Sequence, residues 1–585
     1  MADDGRDVQW TRAQYGGTLA GQGPFALSAD GVDLVAVRTS TGLRVFEGRC
    51  PHQGALLGEG ELDGGTLVCR NHRWRFDASS GRRDVGPQCL RACPSQQRAD
   101  GLFVDTCALQ ADPQTKAKRQ ISALPGPKGW PILGMALDLP VDALHLTLER
   151  WAREYGPLFR FRAGLRTFVV ASDPEIAHQA LRARPEVFRR DKRVEPVFAE
   201  LGVAGVFSVE GAAWRPQRRL AMDALSQRHL RDFYATLAKV AARLHARWRA
   251  AAASGEIVDL PDDLMRFTVD VTTSLAFGCD LNTLEGGEDV IQRELSLVFP
   301  TFARRLNAML PYWRLFRLAP DRRVDKAIAT LRVWIAELVA QARAKHEAEP
   351  TRQPENFLEA MVAGRDEDGK PFTDEVLFGN AMTMLLAGED TTANSVAWAV
   401  HLLCDHPDEV AALRAQLDDR MGDTSVPADL EVANHIDRGT AIANEAMRLR
   451  PVAPLNFVQA NCDTVLGDLH IPAGTPVVIL ARIAATDAAH FGEPERFLPA
   501  RWLEKSERAH DPGASMPFGS GPRICPGRSL ALLEMRVLLA TLYKSFDVER
   551  VTPADQVREV YSFTVMPSAL EVRLRARSVA PDAGG

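Results

Sequence analysis

Ten residues, Phe518-Gly519-Ser520-Gly521-Pro522-Arg523-Ile524-Cys525-Pro526-Gly527, open directly onto a strong helix pattern running from Arg528 to Leu542. That order leaves the chain few options. Gly519 and Gly521 allow a tight turn that few other residues tolerate. Cys525 then stands at the N-terminus of a helix, whose dipole favours a thiolate. Arg523 adds a planar fork suited to a carboxylate partner. The C-terminal part must therefore hold a reactive sulfur at the mouth of a helix.

A second ligand-bearing pattern lies far upstream. Cys50-Pro51-His52 and Cys69-Arg70-Asn71-His72 form Cys-x-His and Cys-x-x-His, with sixteen residues between them. Two thiolates and two imidazoles are the ligand set of a Rieske [2Fe–2S] centre, where imidazole raises the potential above that of all-cysteine clusters. A structural zinc site of Cys2His2 type is the plainer rival. The stretch Cys69 to Gly81 (CRNHRWRFDASSG) and Ala99-Asp100-Gly101-Leu102-Phe103-Val104 resemble Rieske-type ferredoxins, and the resemblance covers 30–107. It implies an iron–sulfur cluster held by Cys50, His52, Cys69 and His72, with Trp74 and Phe76 packed near the second loop. Arg73 stands where that family usually has Gly. Ala55 stands where respiratory-type members carry a disulfide cysteine, which implies the lower-potential ferredoxin class. Cys89 and Cys93 could form a redox pair, but the reading favours ordinary buried thiols.

The texture of the chain divides it along the same line. Leu34–Val37, Leu43–Phe46, Thr66–Val68 and Leu102–Val104 are short apolar runs punctuated by glycine and Asp/Ser turns, the mark of a small all-β domain over 1–107. Residues 108–123 are polar and aperiodic and read as a linker; as a flexible coil, roughly 15 residues would span about 20 Å. From 124 to 575 long amphipathic stretches dominate (143–155, 226–250, 326–346, 373–404, 439–449, 527–544), interrupted by strand-like runs at Phe168–Val170 and Pro476–Ile479. This predicts a mainly α domain with a minor β-sheet. Residues 576–585 are expected to be disordered.

The sulfur loop matches the haem-binding loop of cytochromes P450, Phe-x-x-Gly-x-Arg-x-Cys-x-Gly, at every fixed position, and the likeness extends over 124–575. It implies that Cys525 ligates haem b as a thiolate, pushing electron density toward O–O cleavage, and that Arg523 meets a haem propionate. Phe518 belongs to the same loop. Trp214-Arg215-Pro216-Gln217-Arg218 is similar to the family's Trp-x-x-x-Arg, which implies Trp214 and Arg218 on the propionates. Ala387-Gly388-Glu389-Asp390-Thr391-Thr392 resembles the oxygen-activating kink of the long distal helix. There Asp390 and Thr391 would relay protons, and the small residues 387 and 388 would let haem and dioxygen approach. Glu445-x-x-Arg448 on a helix, followed by Phe497-Leu498-Pro499-Ala500-Arg501-Trp502, implies a buried Glu445–Arg448–Arg501 network bracing the haem loop. Pro494-Glu495-Arg496-Phe497 looks similar but is out of register. No cation stands near Val458, where many members place one, so anchoring rests more on Arg218 and Arg523.

The resemblance implies an O2-dependent monooxygenase. Its electrons would come from an external NAD(P)H-dependent ferredoxin-type reductase through the fused cluster. No Gly-x-Gly-x-x-Gly fingerprint after a strand suggests a nucleotide domain. The implied pocket, Val452–Phe457, Met384–Thr391 and Phe563–Met566, is apolar apart from Asn456 and Thr564, which favours a hydrophobic or amphipathic small molecule. Alternatives are a haem-thiolate peroxygenase or isomerase, which can dispense with the Asp390–Thr391 pair and with electron donors, a non-enzymatic redox or gas sensor, and a Rieske non-haem oxygenase. The net charge of −6 argues against nucleic acid as a partner. No apolar run reaches about 18 residues, so no spanning helix is expected. With an acidic, signal-free N-terminus and scattered cysteines, the expected location is cytoplasmic.

Overall fold

A computed structural model describes residues 10–106 and 119–577, apart from 17–18, 20, 41, 52–53, 71–72, 85–88, 99, 212, 287–289, 309–310, 367 and 504–509. Histidines 52 and 72, Cys107 and most of the expected linker and tail fall outside it.

The N-terminal unit is built from three small antiparallel sheets. Val32–Thr39 lies between Phe25–Ala29 and Gly42–Glu47, and Thr66–Val68 lies between Glu61–Asp63 and Arg75–Asp77. The third sheet pairs Gly101–Val104 with both Thr11–Arg12 and Ser95–Arg98. All four apolar runs read from the sequence are strands here. Cys50 and Cys69 share one buried cluster with Val35, Phe46, Leu57, Leu67 and Phe76. Cys89 is exposed and Cys93 buried, both as free thiols, so only one of them is a core thiol.

Residues 119–123 do not behave as linker. Arg119–Gln120 pairs in parallel with Leu469–Ile471, and Arg119 makes a bidentate ion pair with Asp468. A polar sequence hides this because the strand is held by its backbone and one charge. At the other end, Glu571–Ala576 is a strand and Arg577 pairs with Asp418, so order extends past the expected start of the tail.

The large unit is helical with a five-stranded sheet, in the order Leu158–Ala163, Arg166–Ala171, Pro476–Leu480, Leu455–Ala460, Phe188–Arg190. Six helices position the site: α1 (Pro174–Arg182), α2 (Trp214–Ala224), α3 (Leu260–Phe277), α4 (Asp374–Leu403), α5 (Asp437–Leu449) and α6 (Arg528–Ser545). Helix α4 runs through the core and buries most of its residues on every side, as a central helix must. Thr373 caps its start by accepting from the Val376 N–H. Among the described residues, no helix is long and apolar enough to cross a membrane.

The two units touch at one informative place. Gly54, in the first cysteine loop, lies so close to Gly521 of the sulfur loop that an added Cβ would stand 2.9 Å from the Gly521 Cα.

Candidate functional site

The two cysteine loops of the N-terminal unit are built alike. The Cys50 N–H donates to the Ala55 carbonyl at 2.8 Å, and the Gly54 N–H donates back to the Cys50 carbonyl at 2.8 Å. In the second loop the Cys69 N–H donates to the Trp74 carbonyl at 2.8 Å, and the Arg73 N–H to the Cys69 carbonyl at 3.0 Å. Each turn needs a left-handed residue four positions after its cysteine. Gly54 meets this with φ 73°, whereas Arg73 must take φ 56° with a side chain attached. Such a conformation costs about 1–2 kcal/mol outside glycine. We therefore expect Arg73→Gly to stabilise the N-terminal unit by about 1 kcal/mol in chemical unfolding. Its exposed ion pair with Glu61 is worth little. Trp74 and Phe76 do pack beside this loop, with ring centroids 6.3 Å apart and Arg83 stacked over Trp74. The two buried sulfurs in one apolar cluster fit a shared centre; His52 and His72 lie outside the described residues.

In the large unit, Gly519 (φ 73°) and Gly521 (φ 72°) make the turn the sequence requires. Gly521 is doubly constrained, since a Cβ would meet the Leu181 carbonyl oxygen at 2.4 Å. The Cys525 N–H closes the loop on the Phe518 carbonyl at 2.9 Å, and Arg528 sits over the Phe518 ring. Cys525 has accessible surface yet lies deep among protein atoms, so it lines an interior cleft. Burial raises its thiol pKa, opposed by the Gly527 N–H and by the charges of Arg218 and Arg528. The N–H groups at the helix start thus act in the direction the sequence implied.

Around this cleft stand Arg184, Arg190, Arg218 and Arg523. Glu210 pairs with Arg523 at 2.7 Å and with Arg184 at 3.4 Å, and it accepts the Arg190 N–H at 3.0 Å. Arg523 also donates to the Val209 carbonyl and stacks 4.2 Å over Trp214, while Arg218 donates to the Ile524 carbonyl. Burial pulls Arg218 and Arg523 down to about 10, and it lowers Arg184 and Arg190 as well. Several buried cations facing one acid are an unbalanced arrangement that burial penalises. The two propionates of a haem would balance it, so the donor set fits that group. Arg184, Arg190 and Glu210 gave no signal in the sequence. They read as scattered surface charges until the fold brings them to the sulfur loop.

On the opposite side, α4 is continuous through Ala387–Thr392. Thr391 donates to the Ala387 carbonyl at 2.9 Å. The buried Asp390 carboxylate accepts from Asn394 at 2.7 Å and from the Thr564 hydroxyl. The structure thus places Asp390 and Thr391 side by side on α4 without a hydrogen bond between their side chains. Gly388 also serves helix packing: a Cβ there would meet the Thr272 hydroxyl of α3 at 2.3 Å. Thr564 is buried on Asp390 and is not a free polar contact for a ligand. Two further acids lie beneath. Glu389 and Glu534 are both pushed up to about 8, chiefly by burial, Glu389 also by Asp390, while Glu534 bonds Thr392. Phe563, expected in the pocket, joins Phe198, Phe207 and Phe302 in an aromatic group with centroids 4.0–6.4 Å apart. Arg190 stacks 3.8 Å over Phe207 and so ties this group to the cation cluster.

Glu445, Arg448 and Arg501 meet with side chains fully buried. Arg448 grips both carboxylate oxygens at 2.8 Å, Arg501 donates at 3.1 Å and Trp502 at 2.8 Å. Both guanidinium groups also hold carbonyls of the 485–496 segment. Arg496 is exposed and pairs with Glu493, as its register implies.

Comparisons agree with both halves. The family Rieske [2Fe-2S] domain matches residues 9–95 and the family Cytochrome P450 matches 124–573. The chain is 26% identical over 475 residues to "Self-sufficient cytochrome P450 monooxygenase CYP505E4" of Penicillium camemberti, covering 78% of this chain but only 44% of that protein. It is 25% identical over 447 residues to "Protein LUTEIN DEFICIENT 5, chloroplastic" of Arabidopsis thaliana, covering 74% and 72%. The solved structure "Crystal structure of cytochrome P450DA heme domain" superposes with a TM-score of 0.70 at 26% identity, covering 79% of this chain and 99% of that one. A P450 domain implies haem and a Rieske domain implies a [2Fe–2S] cluster. The chain spans less than half the length of the curated relatives it matches first. It belongs to the cytochrome P450 family and carries a Rieske [2Fe–2S] domain fused ahead of it.

Proposed function

We propose that the haem of this monooxygenase receives single electrons from the Rieske cluster of the same chain, and that an external NAD(P)H-dependent ferredoxin-type reductase recharges that cluster. Held by Cys525, haem supplies two-electron activation of O2, with one oxygen atom going to an organic substrate and the other to water. Cys50, His52, Cys69 and His72 hold the cluster. Arg218, Arg523 and Trp214, joined by Arg184 and Arg190, hold the propionates and neutralise them in a dry site. Phe518 packs under Arg528 and closes the sulfur loop.

Asp390 and Thr391 carry protons into the cleft. The Thr391 hydroxyl hydrogen rests on the Ala387 carbonyl, which leaves its oxygen lone pairs free to accept. Burial raises the Asp390 pKa and makes it a better proton holder, although Thr564 and Asn394 oppose that. To serve Thr391 its carboxyl must rotate away from Thr564. The Glu445–Arg448–Arg501 network keeps the 485–498 segment and the sulfur loop beside it in place. The substrate is a hydrophobic or amphipathic small molecule, because the phenylalanine group gives the cleft an apolar wall.

One observation carries the relay: the backbone of the first cluster loop rests on the backbone of the sulfur loop, at Gly54 and Gly521. The test is a His72→Ala variant. Reduced with dithionite under CO, it should keep the CO absorption band of a thiolate-ligated haem, while reductase-driven turnover falls to background. Turnover at the parent rate would refute the relay.

A further inference from the structure

We infer that Arg182 is a charge-gated clasp between the two units: it draws the cluster loop onto the sulfur loop most strongly when the cluster holds an electron. The inference rests on the relay reading and adds a residue that the reading does not use.

Arg182 ends α1 and is largely buried. Two groups of the N-terminal unit, Glu47 and Cys50 in its thiolate form, oppose the loss of charge that burial favours. The same turn of α1 shapes the sulfur loop. The Leu181 carbonyl and the Arg182 Cα press on Gly521, and His178, one turn earlier, bonds Ser520 at 2.9 Å and the Gly513 carbonyl at 2.9 Å. Gly521 is thus held between α1 on one side and Gly54 on the other. One helix end presses on Gly521 from one side while the cluster loop presses on it from the other, and the cation at that helix end is within electrostatic reach of Cys50.

The sign follows from the ligand set. Two ferric ions, two sulfides, two thiolates and two neutral imidazoles sum to zero charge, and one added electron makes the whole singly negative. A fixed cation nearby stabilises the negative form. It therefore raises the cluster's midpoint potential, and the reduced unit docks more tightly than the oxidised one. When the electron passes to the haem iron, ferric to ferrous, the cluster returns to zero charge and the clasp loosens. The carrier is then released for reloading. His178 on the same helix is buried with its pKa lowered, Asp511 stands beside it, and Arg49, which donates to the Gly54 carbonyl at 3.2 Å, is already paired with Asp33.

The test compares the parent with Arg182→Lys, Arg182→Gln and Arg182→Glu in the full chain. The first readout is the cluster midpoint potential by EPR-monitored titration. The second is the rate of cluster-to-haem transfer after one-electron photoreduction. We expect the potential to fall in the order parent, Gln, Glu, with Lys near the parent. We expect the transfer rate to fall in the same order, by about tenfold or more for Glu, because like charges then oppose docking. Retention of the CO band in each variant shows that the haem domain is intact. Equal potentials in all four proteins, or equal rates, would overturn the clasp. If the parent itself transfers no electron from cluster to haem, the relay fails. If the parent transfers and all variants match it, only the clasp fails.

Discussion

Glu445→Gln is expected to unfold the haem domain or leave it without haem. Its carboxylate accepts from Arg448, Arg501, Trp502 and the Leu498 N–H, all within 3.1 Å and with the three charged side chains fully buried. Burial alone would raise its pKa, but the hydrogen bonds and charge of Arg448 outweigh burial and hold it below the usual carboxylate value. The neutral amide leaves two guanidinium groups in a dry interior without an anion. Removing one member of a buried pair costs about 3–5 kcal/mol, a large share of a domain's net stability of roughly 5–15 kcal/mol. Unfolding followed at the haem absorption should shift by that amount, and the CO band should weaken or vanish. Parent-like stability would mean that the network is not what braces the 485–498 segment. Exposed pairs such as Arg496–Glu493 should show less than about 1 kcal/mol in the same assay.

Stability should also fall as pH rises above neutrality, and Glu534→Gln should remove about half of that fall. Glu389 and Glu534 are raised from 4.5 to about 8, so the folded state binds protons that the unfolded state has already released. The group favours folding fully below pH 4.5 and loses that contribution as pH climbs toward 8. Buried histidines confuse the lower half of this window. His401, for example, is lowered from 6.5 to about 4, and it makes folding more favourable as pH rises through that range. Above pH 6.5 that effect is complete and the acids stand alone. Each acid then costs about 1.4 kcal/mol per pH unit, or roughly 2 kcal/mol between 6.5 and 8. Unfolding curves of the holoprotein at these two pH values, for the parent and Glu534→Gln, give the difference directly. An identical pH slope in both would show that Glu534 is ionised in the folded protein.

Much of this architecture was legible because the chemistry is local in sequence. The sulfur loop, the Glu445-x-x-Arg448 helix and the cysteine loops are each set by residues a few positions apart. All six amphipathic stretches became helices, with ends mostly within a few residues. Helix α3 was missed because it is buried nearly all round and has no polar stripe to give it a period. The cation cluster was missed for the opposite reason. Arg184 and Arg190 belong to an ordinary charged stretch, and only the packing of that stretch against Val206–Glu210 and the sulfur loop removes them from water. The phenylalanine group is likewise drawn from three distant segments, around 198–207, 302 and 563. Thr564 was misjudged because its buried partner, Asp390, is remote in sequence. The linker was drawn too long because Arg119–Gln120 pairs through backbone groups that carry no compositional mark.

Under the proposed relay each turnover needs two electrons while the cluster carries one, so the two centres would exchange repeatedly within one molecule. The most direct test is to load a single electron onto the cluster by flash photoreduction under CO and follow both centres. The account predicts that the cluster signal decays as the CO-bound haem band grows, with one first-order rate that does not change with protein concentration. A cluster that stays reduced while the haem stays ferric, or a haem signal whose rate scales with protein concentration, would contradict it.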